Sequence, residues 1–115
     1  IPIYALSASI ENTKKANEKT GLLAPIAGHV GDGNYHLMIL FDGDSDDGLS
    51  RAKSLASQVN DIALDFGGTV TGEHGIGSGK RSYMEREHGE AWSIMGNIKE
   101  LFDPNNIMNP GKLVP

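Results

Sequence analysis

The predicted order of elements, β-α-β-β-α-β followed by helices, is the ferredoxin-like α+β pattern. It is an antiparallel sheet with helices on one face, here with its first strand truncated and extra C-terminal helices. Three observations predict it. Leu49, Ala52, Leu55, Ala56, Val59, Ile62, Ala63 and Phe66 recur at a 3.6-residue period over residues 47–66, the stripe of an amphipathic helix. Gly31-Asp32-Gly33-Asn34 separates two apolar runs, residues 22–30 and 35–41, with residues that tolerate positive φ, as a hairpin turn requires. Thr69-Val70-Thr71 then follows Gly67-Gly68 as a short β-branched strand.

The remaining elements fall in between. Residues 1–6 are apolar and read as the end of a strand, with Pro2 at its start or on a sheet edge. Residues 7–20 are polar, with Leu6, Ile10, Thr13, Ala16 and Asn17 at helical spacing. Ser7 is the candidate N-cap there and Gly21 the stop. Asp42 to Asp47 form an acidic turn that caps the next helix and complements its dipole. After residue 80 a short helix to about Glu87 is expected. A better one spans residues 89–102, with Ala91, Ile94, Met95, Ile98, Leu101 and Phe102 as its inner face. Asp103-Pro104 ends it, and residues 105–115 show turn chemistry at Asn109-Pro110-Gly111.

Composition bounds the function. A chain of 115 residues with 38% hydrophobic and 22% charged residues is expected to fold as one compact domain. The net charge is −5 with dispersed Lys and Arg, which argues against nucleic acid as a partner. The absence of cysteine excludes disulfides, thiolate ligands and cysteine nucleophiles. No apolar run approaches the roughly 20 residues of a membrane span. The Ile-Pro-Ile start carries no targeting profile and is that expected of a piece of a longer protein.

Chemistry concentrates in two patches. Gly28-His29-Val30-Gly31-Asp32-Gly33-Asn34-Tyr35-His36 holds two histidines. A hairpin centred on Asp32-Gly33 sets His29 opposite His36 on one face, beside Ala27 and Met38. Opposed Cβ atoms about 4.5–5.5 Å apart allow two imidazoles to share an ion. The plain alternative is a pair of polar hairpin residues stacking in water. Two histidines are too few for a metal centre, so a further ligand is required.

The second patch, Gly72-Glu73-His74-Gly75-Ile76-Gly77-Ser78-Gly79-Lys80, offers one. Adjacent side chains at a strand exit diverge, which sends Glu73 toward the metal and His74 toward a substrate as general base. Alone, these would be loop residues among turn glycines. The phosphate-loop reading fails because His74 stands where glycine is needed and Arg81 where Ser or Thr is needed. Lys80 and Arg81 remain candidates to meet an anion such as a carboxylate. In a plain ferredoxin-like sheet, the fourth strand would carry Glu73 to the end opposite the histidine pair.

These motifs, with Gly68-Thr69-Val70-Thr71 before the second patch and Asp103-Pro104-x-x-Ile107-Met108-Asn109-Pro110-Gly111-Lys112 at the end, resemble the FAD-linked oxidase C-terminal domain. That family includes flavin-dependent D-lactate dehydrogenases, the glycolate oxidase flavin subunit and D-2-hydroxyglutarate dehydrogenase. The resemblance spans essentially the whole chain. It implies that residues 1–115 are the C-terminal part of a substrate or cap domain, with a separate N-terminal domain holding most of the FAD. It implies a divalent metal, Zn or Mn, on His29, His36 and Glu73, with His74 taking the proton of the substrate hydroxyl while hydride passes to the flavin. Asn109 is placed near the flavin by the same resemblance. Where the D-2-hydroxyglutarate enzymes carry an asparagine two positions after the second histidine, this chain has Met38. That departure implies a smaller or less polar 2-hydroxy acid, D-lactate first and glycolate next.

The expected partners are that small acid and the chain's own FAD domain, with the electron acceptor open. The expected location is the cytoplasm or the periphery of an energy-transducing membrane. The alternative reading is a stand-alone metal- or ligand-binding module without catalysis.

Overall fold

The structure, a computed structural model, describes residues 1–45 and 47–115. Asp46, part of the expected acidic turn, lies outside them. The α+β class holds: the described residues form two short antiparallel strands and four α-helices, in two compact units, residues 1–69 and 70–115.

The first unit packs helices α1 (Leu6–Glu18) and α2 (Gly48–Asp65) against one face of the hairpin formed by β1 (Ile26–Ala27) and β2 (His36–Leu37). Ala16, Ala24 and fully buried Leu55 form the centre, with Leu22, Leu37, Ile39, Val59 and Ile62 around them. Of the predicted stripe, Ala52, Leu55, Val59, Ile62, Ala63 and Phe66 are buried or half-buried, while Leu49 and Ala56 are exposed. Asp47 caps α2 by its backbone only. Its carbonyl accepts the Arg51 N–H at 3.0 Å, while its carboxylate pairs with the Arg51 guanidinium at 2.9 Å. Arg51 also donates to the Thr20 carbonyl at 3.0 Å, which ties the start of α2 to the residues just past α1.

The first segment is corrected. Ile3–Ala5 forms a 3-10 turn that runs directly into α1, so residues 1–6 supply no strand. Pro2 adopts φ −52°, and its carbonyl accepts the Ala5 N–H at 2.9 Å, which starts the helical turn. Ser7 consequently lies inside α1 instead of capping it.

The strand expected at residues 69–71 is also absent. The Val70 N–H donates to the Glu87 carboxylate at 3.2 Å and its carbonyl accepts from the Lys80 ammonium. Both backbone groups are satisfied by side chains, so no ladder is needed. Without that strand, sheet direction no longer dictates where Glu73 lies. The ferredoxin-like pattern is thus represented by its hairpin between two helices.

The second unit contains a 3-10 turn at Arg81–Tyr83, α3 (Met84–His88) and α4 (Glu90–Phe102). Gly89 joins the helices at φ 55°, ψ −130°, a conformation open in practice to glycine alone. Val70 and Met84 are its buried apolar residues. The expected inner face of α4 is not buried: Ile94, Ile98, Leu101 and Phe102 are all exposed, the last two at 77% and 78%.

Candidate active site

The hairpin end in the first unit is an eight-residue connection, residues 28–35. The ladder pairs Ala27 with His36 and Ile26 with Leu37, and Leu23 bridges Leu40 in the same register. His29 is therefore not opposite His36, which corrects the expected pairing. Three features consume the extra residues. Val30–Asp32 makes a 3-10 turn, Gly33 follows at φ 77°, and the His29 carbonyl accepts N–H groups from Asp32 at 2.9 Å and Asn34 at 3.2 Å. Gly28 is required here. A Cβ on it would stand 2.6 Å from both the Asn34 oxygen and the Tyr35 Cα.

Alternation then sorts the β2 side chains. Leu37 and Ile39 face the helices, while half-buried His36 and exposed Met38 take the other face. Tyr35 turns inward, and its hydroxyl lies 2.9 Å from those of Ser9 and Thr13, both fully buried on α1. Thr13 stood on the predicted stripe, but Ser9 was missed. A tyrosine on the inward face was the available signal, because a buried phenol needs a polar partner.

In the second unit, Glu73 and His74 lie on a loop with glycines at 72, 75, 77 and 79. Their side chains converge instead of diverging. Glu73 Oε1 lies 3.5 Å from His74 Nε2, with the imidazole 78% and the carboxylate 43% exposed. Neighbouring residues can meet because Gly75, at φ 79°, turns the chain, and the Thr71 hydroxyl donates to the Gly75 carbonyl at 3.2 Å.

Lys80 and Arg81 do not present themselves to an anion. Arg81 Nε donates to the Val114 carbonyl at 2.7 Å, and the Lys80 ammonium is on the Val70 carbonyl. Burial pushes Lys80 below the ordinary lysine range, against the opposing pull of Tyr83 and Glu87.

The tail, which showed only turn chemistry in the sequence, is ordered by polar contacts. The Leu113 N–H donates to the Gly77 carbonyl at 2.8 Å, and Trp92 Nε1 to the Leu113 carbonyl at 2.9 Å. Asp103, at the end of α4, accepts the N–H groups of Ile107 at 3.0 Å and Met108 at 2.8 Å and pairs with Lys99. The Lys99 hydrogen bond, with the Met108 and Ile107 N–H groups, holds its carboxyl below the usual range despite desolvation. Exposed Asn109 follows directly, in the left-handed region at φ 47°.

Two loop systems thus carry the chemistry: a hairpin connection flanked by imidazoles, and a glycine loop where a carboxylate meets an imidazole. These are groups of the kinds able to ligate an ion or transfer a proton, on an α+β scaffold. Residues 1–113 match the family described as FAD linked oxidases, C-terminal domain, and the chain belongs to that family. It is 44% identical over 116 residues to the mitochondrial D-lactate dehydrogenase [cytochrome] of Arabidopsis thaliana, covering 100% of this chain and 20% of that protein. With the mitochondrial D-lactate dehydrogenase [cytochrome] 1 of Saccharomyces cerevisiae the identity is 39% over 114 residues, 98% of this chain and 19% of that protein. The glycolate oxidase subunit GlcD of Escherichia coli K12 is 33% identical over 116 residues, 100% of this chain and 23% of that protein. The chain spans about a fifth of the length of these curated relatives.

Proposed function

We propose that this chain is the C-terminal part of a flavin-dependent D-2-hydroxyacid dehydrogenase that oxidises D-lactate, or next glycolate, to the 2-oxo acid. The observation that carries the reading is the 3.5 Å approach of His74 to Glu73 on a glycine loop, in a chain of the FAD-linked oxidase family. The names of the relatives support the substrate class. Met38, an apolar side chain on the His36 face, suits a small acid without a second carboxylate.

His74 is the general base. A neutral imidazole accepts a proton near neutral pH, and the exposed ring is accessible to a substrate hydroxyl. Glu73 beside it stabilises the imidazolium that results. His29, His36 and Glu73 are proposed as ligands of a divalent ion, Zn or Mn. Two imidazoles and a carboxylate are the donor set of an open catalytic centre, and all three side chains are exposed or half-buried. The ion, when bound, supplies Lewis acidity toward the hydroxyl and charge toward the carboxylate. Asn109 is proposed to approach the flavin. A flavin, held mainly by an upstream domain, would supply the electron-accepting chemistry. Among the described residues no helix is long and apolar enough to cross a membrane, which suits the cytoplasm or a peripheral membrane location.

In the full-length enzyme, His74→Ala is expected to retain FAD and to lose flavin reduction by D-lactate, followed by stopped-flow absorbance. Unchanged reduction rates sink the assignment. Titration calorimetry of wild type against His36→Ala checks the metal, and equal affinity refutes the ligand set.

A further inference from the structure

We propose that Lys80 is a positioning residue for Glu73 and His74, acting through a clamp at the base of their loop. The proposal rests on the reading of those two residues given above.

A segment with glycines at 72, 75, 77 and 79 has little conformational preference of its own, because each glycine opens both signs of φ. Its shape must be imposed from its ends. Val70, just before the loop, is 4% exposed, and both of its backbone groups are taken by side chains from beyond the loop. Its N–H donates to Glu87 Oε2 at 3.2 Å and its carbonyl accepts from Lys80 Nζ. The Glu87 carboxylate is itself buried, its side chain only 8% exposed, and attracts the Lys80 ammonium. Lys80, Val70 and Glu87 therefore close the loop at its base through part-buried bonds. A charge-assisted bond to a carbonyl in such a setting is stronger than its surface counterpart.

Within the loop, the Thr71 hydroxyl on the Gly75 carbonyl spans Glu73 and His74, and the Lys80 N–H donates to the Ile76 carbonyl at 3.3 Å. Beyond them the Leu113 N–H holds Gly77. Glu73 and His74 are thus carried on a braced loop, and Lys80 is its central brace. This also explains a lysine directly after a glycine-rich run whose spacing is not that of a phosphate loop.

The test uses the full-length, flavin-loaded enzyme. Lys80→Met is expected to lower kcat/KM for D-lactate about 10- to 100-fold, the usual cost of losing a group that orients a ligand or base. FAD content should be retained. Lys80→Arg, which can still donate to the Val70 carbonyl, is expected to recover most of the loss. Wild-type kcat/KM in Lys80→Met, alongside an inactive His74→Ala, overturns the proposal and leaves the base assignment standing. Wild-type turnover in His74→Ala overturns both. If Lys80→Met yields only unfolded protein, Thr71→Val supplies the test at the inner brace. A smaller fall in kcat/KM supports the clamp, and no change assigns Lys80 to folding alone.

Discussion

Tyr35 shows how a single polar atom locks the first unit. Its phenol reaches across to α1, where the hydroxyls of Ser9 and Thr13 each lie 2.9 Å away at full burial. Tyr35→Phe keeps the ring and removes the shared hydroxyl, so two buried groups lose a partner. The expected cost is about 1–3 kcal/mol. It is measurable as lost hydrogen-exchange protection of α1 amides, and unchanged protection contradicts the argument. The inward aim of Tyr35 was legible, because it alternates with His36 and shares the face of Leu37. Ser9 was not, since a serine on a polar helix looks like a solvent residue until its partner is known. The convergence of Glu73 and His74 was illegible for a related reason. Neighbours diverge in extended chain, and only the turn at Gly75 reverses that.

At the scale of elements, the hairpin was readable and its register was not. Turn chemistry identifies a reversal, but the number of residues it consumes depends on the 3-10 turn over Val30–Asp32 and the left-handed Gly33. Those features move the partner of His36 from His29 to Ala27. Gly28 then marks where the strands leave the ladder. Gly28→Ala adds a Cβ 2.6 Å from backbone atoms of Asn34 and Tyr35, at φ 153°, so the connection must shift. A loss of about 1–3 kcal/mol is expected, and metal affinity in the full-length protein should fall as His29 is displaced. Calorimetry checks this, and wild-type affinity argues against His29 as a ligand. The end of α4 behaves differently. Asp103 holds the tail through a carboxylate whose pKa is lowered, so its contribution is present above the ordinary aspartate range. It is lost as pH falls through the depressed value. The Ile107 and Met108 amides are therefore expected to stay protected in mild acid and to open in strong acid. Asp103→Asn should open them at neutral pH, as read by hydrogen exchange.

At the scale of the whole molecule, the α4 stripe carries the argument. Its periodicity predicted an inner face, and that pattern is present in the helix, but the described residues leave Ile94, Ile98, Leu101 and Phe102 exposed. A stripe can be read from sequence. What it packs against cannot, when the relatives are about five times longer than the chain. If the remainder of the polypeptide covers this face, burial of Leu101 and Phe102 alone contributes on the order of 3–6 kcal/mol. That is a large share of a domain's net stability. The substitution pair Leu101→Glu and Phe102→Glu is then expected to act oppositely in two contexts. In the isolated 115-residue chain it should leave stability within about 0.5 kcal/mol, as exposed positions do, and reduce binding of an apolar dye. In the full-length protein it should lower the melting temperature and release flavin. The isolated wild-type chain should show neither flavin absorbance nor turnover with D-lactate. Full-length protein that tolerates both charges with its flavin retained would show that α4 faces water in the full-length fold, and the stripe would then need another occupant.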